Sequence, residues 1–75
     1  MQSDTPYPSG SDEDAALVDI RRAEVSLNSN TYPADVAERA RAAVEIARQA
    51  LEGGDPTAAR AASALAIQLL ADALR

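Results

Sequence analysis

Histidine, cysteine, lysine, phenylalanine and tryptophan are all missing from this chain. Each absence removes a kind of chemistry. Without histidine or cysteine there is no imidazole base and no thiolate, and without lysine no amine that forms a Schiff base. The lack of cysteine also excludes disulfides and leaves the redox compartment open. The serines, Ser3, Ser9, Ser11, Ser26, Ser29 and Ser63, therefore have no partner to activate them. They read as linker, cap, turn and helix-surface residues, with Ser63 expected to pack or to bond the local backbone. No apolar run approaches the length of a membrane span, and the acidic start lacks the basic and apolar regions of a secretion signal. Cytoplasmic residence without membrane insertion is the expectation.

Carboxylates are present, but their placement suits structure. Asp12, Glu13 and Asp14 favour the positive end of a helix, with Ser11 or Asp12 as its cap. Calcium would need oxygen ligands at ordered spacing along a loop, and this cluster runs straight into a helical pattern. Glu38, Glu45 and Glu52 share a face with Arg41 and Arg48, as in a solvated ion-pair stripe, and lack the histidine of a di-iron bundle motif. Gly53-Gly54 is followed by no lysine, so it is not a phosphate-binding loop. No catalytic, cofactor or metal residue is assigned, no small-molecule substrate is indicated, and an independent enzyme is not expected.

What the chain has in quantity is alanine. Its large aliphatic residues number fourteen after Met1 in a total of 75 residues. Alanine favours helix and lets helices approach closely, but each buried one removes little area from water. A thin core follows, to be compensated by tight packing or by a second subunit. The net charge is −5, and all seven basic residues are arginines dispersed among acids. That balance argues against direct nucleic-acid binding, which calls for a positive stripe.

Along the chain, residues 1–11 are polar and rich in Pro, Gly and Ser, and are expected to form a disordered tail. Tyr7 between Pro6 and Pro8 is too little to specify a binding motif. Residues 12–75 form the helical domain, with helices expected at about 12–27, 33–52 and 56–74. In the first, Ala16, Ile20, Ala23 and Leu27 share a face with Leu17 at its flank, while Val18 and Val25 stand almost opposite. Asn28 to Thr31 break the pattern, and Thr31 is a possible cap for the second helix, with Pro33 in its first turn. In the second, Val36, Ala40, Ala43, Ala47 and Ala50 follow helical spacing, widened by Ala37, Val44 and Leu51. Ile46 lies outside that arc, beside Arg39. In the third, Leu65 and Leu69 share a side with Ala58 and Ala62, whereas Ile67, Leu70 and Leu74 lie well round from them. A helix apolar over so much of its circumference is central and needs more than one neighbour.

Between the second and third helices lies the turn Gly53-Gly54-Asp55-Pro56. Gly53 is expected to take the left-handed conformation that closes a helix. Asp55 caps the next helix and Pro56 occupies its first position, where no donor is needed. So short a link makes the two helices antiparallel neighbours. No segment shows the period-two alternation of a strand. The fold class is therefore all-α: a small three-helix bundle with a long antiparallel C-terminal hairpin.

The turn LEGGDPTAAR, followed by small residues and Leu65, resembles the glycine-and-alanine helix pairs of tetratricopeptide-like repeats. The resemblance covers this one turn, and the aromatic positions of a full repeat are missing. A DNA-binding helix-turn-helix fits the helix count, but the last helix is too apolar for recognition. What remains is surface: Val18, Val25, Ile46, Leu65, Ile67, Leu69, Leu70 and Leu74 are the candidate contact residues. The expected function is a noncatalytic protein-interaction module, a small regulator, accessory subunit or docking domain. The alternatives are a self-assembling structural protein and an acidic negative regulator of a transcription factor or toxin. The partner is another copy or another protein, and the sequence does not say which.

Overall fold

The computed structural model describes residues 8–74, with side-chain surroundings from Asp12 to Leu74. Three helices account for nearly all of it, α1 (Pro8–Ser29), α2 (Ala34–Glu52) and α3 (Pro56–Ala73), and no strand occurs among the described residues. The chain is all-α.

Helix α1 begins four residues before the expected start at Asp12 and takes in Pro8 to Ser11 from the stretch read as a tail. Pro8 suits the first helical position because its missing donor would be unpaired there. Once the docked part of the helix exists, adding residues is far easier than starting a new helix, so poor helix formers such as Gly10 are carried along. Residues 1–7, the rest of the expected tail, lie outside the described residues.

Asp12 is consequently inside α1 and is not its cap. Its carboxylate is used across the fold: Arg60 Nη1 donates to Oδ1 at 2.8 Å, and Thr57 Oγ1 donates to Oδ2 at 3.4 Å. The beginnings of α1 and α3 therefore lie together. At its other end α1 runs to Ser29, two residues past the expected stop. Asn30 finishes it, with its backbone N–H 3.0 Å and its side-chain Nδ2 3.2 Å from the Ser26 carbonyl.

Thr31 does not cap α2. Pro33 occupies that position with extended backbone (φ −54°, ψ 145°) and makes no side-chain cap bond. The neighbouring Tyr32 packs partly buried against the core, and its hydroxyl shares a hydrogen bond with Ser26 Oγ. A buried tyrosine needs such a partner. Packing of Tyr32, together with the fixed φ of Pro33, sets where α2 starts.

The turn after α2 is where expectation and structure differ by one residue. Gly53 has φ −82°, an ordinary value, and Gly54 takes the left-handed conformation at φ 79°. The Gly54 N–H donates to the Leu51 carbonyl (3.1 Å) and the Asp55 N–H to the Ala50 carbonyl (2.8 Å). That is the paired 5→2 and 6→1 closure of a Schellman motif, which puts the left-handed residue one position beyond the helix cap. Asp55 then begins α3: its Oδ1 accepts from the Ala58 N–H at 3.1 Å, and Pro56 follows in the first turn. One residue ends α2 through its backbone and starts α3 through its side chain.

The core is small and mostly alanine. Ile20 and Ala23 of α1, Ala40, Ala43, Val44 and Ala47 of α2, and Ala66 and Leu70 of α3 form one buried cluster. Leu27, Val36, Leu51, Ala62 and Ile67 pack at its edge. The buried faces of α1 and α2 are those read from their periodicity. On α3 the buried stripe is Ala59, Ser63, Ala66 and Leu70, between the two leucine-bearing sides. Small residues at a helix contact let the backbones approach closely, so the row of Ala59, Ser63 and Ala66 lies inward. The buried Ser63 hydroxyl donates to the Arg60 carbonyl at 3.0 Å, as a hydroxyl in an apolar contact must. Helix α3 packs extensively on both neighbours, whereas α1 and α2 meet over a small area. The apolar helix is the central one, as its pattern predicts.

Candidate interaction surface

Placement of the large aliphatic side chains decides which of the candidates a partner can reach. Val18 and Val25 on α1, Ile46 on α2, and Leu65 and Leu74 on α3 are all 52–60% exposed. Leu69 is half-buried. Ile67 is also half-buried and packs against the core cluster, so most of it is committed to the fold. Leu70 is only 3% exposed and belongs to the core, which removes it from the contact surface. It follows Ala59, Ser63 and Ala66 at helical spacing, so the close approach that buries them buries it as well.

One contact residue was not singled out from the sequence. Leu17, expected at the flank of the α1 core face, is 51% exposed. A helix turns 100° per residue, so Leu17 stands a quarter-turn or more from Ala16. With α2 touching α1 over little area, nothing covers that flank. The signal was available in the spacing, but only the arrangement of neighbours turned it into exposure.

Leu17, Val18 and Val25 line one open recess of about 1040 Å³, together with charged groups of both signs: Asp14, Arg21, Arg22, Glu24 and Arg48. A second recess of about 540 Å³ lies between α1 and α2, lined by Leu27, Arg41 and Val44 among others. Arg48 of α2 donates to Glu24 of α1 across the gap between these helices. Both side chains are nearly half exposed, so water screens the pair and it contributes about 0.2–1 kcal/mol. The expected pairing along α2 itself is replaced here by a bond to another helix.

Arginines divide into two groups. Arg48 and Arg60 are held by Glu24 and Asp12 of α1. Arg21 and Arg22 on α1 and Arg39 and Arg41 on α2, all exposed, have no ion-pair partner among the described residues. Glu38, Glu45 and Glu52 point to solvent along α2. Among the described residues no group of three or more acidic, histidine or cysteine side chains is placed to hold a metal ion, and no helix is long and apolar enough to cross a membrane. In comparisons with known proteins, no family model, curated sequence or solved structure matches the chain.

Proposed function

We propose that this protein is a noncatalytic helical interaction module, acting as a small regulator, accessory subunit or docking domain through apolar side chains outside its core. One observation supports the reading above the others. Leu17, Val18, Val25, Ile46, Leu65 and Leu74 are exposed, while the core beneath them is built mainly from alanine. Scattered exposed aliphatics are ordinary, but among the described residues they outnumber the three large ones that are buried, Ile20, Val44 and Leu70. Burying each against a partner contributes roughly 1.5–3 kcal/mol before ordering costs. In the same reading α2 and α3 form an antiparallel hairpin within a three-helix bundle, supported by the short Gly53–Asp55 link.

Self-assembly is the second reading, and the exposed Ile46 and Leu65 on the two C-terminal helices favour it. Sedimentation equilibrium over a wide concentration range, with Val25→Asp and Leu65→Asp as variants, tests both. Leu65 replaces Ile67 in that design because Ile67 supports the core. The module reading expects at least one association, with itself or with a protein captured from the source cell, to be lost in a variant that keeps its wild-type unfolding midpoint. Unchanged associations in both variants overturn it.

A further inference from the structure

We draw no further inference here: the strongest candidate, the open recess on the outer face of α1 where Leu17, Val18 and Val25 are exposed, is lined by Asp14 and Glu24 as well as Arg21 and Arg22, so nothing in the structure shows what covers it.

Discussion

Gly54 is the residue on which the path of the chain between α2 and α3 depends most. At φ 79° any side chain with a Cβ is strained, although the space around it is open. Gly54→Val is expected to lower stability by about 1 kcal/mol or more. Gly53→Ala is expected to be mild, because its φ is ordinary and an added Cβ would come no closer than 3.4 Å to another atom. Chemical denaturation of the pair measures this difference, and equal costs at both positions would show that the left-handed residue is misassigned. Asp55→Ala should cost roughly 0.5–2 kcal/mol, since it leaves the Ala58 N–H without its acceptor. Leu70→Ala tests the core assignment: filling of the site by a buried leucine predicts a loss of about 2–5 kcal/mol. The same experiment on Leu65, more than half exposed, should cost well under that. A similar loss at both would mean that the two leucine positions had been confused.

At the scale of helices, the unequal packing of α1 invites a direct measurement. It docks on α3 and is tied there by Asp12 to Arg60 and Thr57, but meets α2 over a small area, where Glu24 pairs with Arg48. A double-mutant cycle of Asp12→Ala with Arg60→Ala is expected to give a coupling of about 0.2–1 kcal/mol at low salt, shrinking at high salt. Zero coupling would mean that the pair is not formed in solution. The boundaries of α1 also show what periodicity misses. Its buried face, Ala16, Ile20 and Ala23, follows from spacing alone. Its start does not, because Ser9, Gly10 and Ser11 have no helical preference of their own. The misreading of Asp12 as a cap has the same origin: an acidic residue near a helix start suits a cap or a cross-helix bond equally, and only Arg60 beside it selects the second.

For the molecule as a whole, shape limits stability. The radius of gyration is 13.6 Å, against about 11 Å for a compact domain of this size, and the extents are 48 × 24 × 16 Å. An elongated body of three helices encloses little volume, which fits a core whose large buried aliphatics, among the described residues, are Ile20, Val44 and Leu70. Stability of such a domain responds strongly to anything that binds the folded form. With a partner that covers α1, the unfolding midpoint is expected to rise with partner concentration, and Val25→Asp to remove that rise without moving the midpoint of the free chain. Thermal unfolding monitored by circular dichroism checks it, and a midpoint that ignores the partner would contradict docking on the folded state.

Local chemistry in the sequence was sufficient for the helices, their inward faces on α1 and α2, the central place of α3, and the Asp55-Pro56 start of that helix. Helical spacing and capping act within a few residues, so those features are written where they occur. The side of α3 that turns inward was not legible in this way. Leucines lie on both flanks of the row Ala59, Ser63, Ala66, Leu70, and hydrophobicity alone ranks the flanks higher than a row containing serine. Close approach of two backbones reverses that order, because dispersion contacts depend on distance and small side chains permit it. Whether Leu17 meets water or protein was likewise decided by tertiary structure: its exposure belongs to the arrangement of neighbouring helices, and α2, which meets α1 over a small area, leaves that flank uncovered.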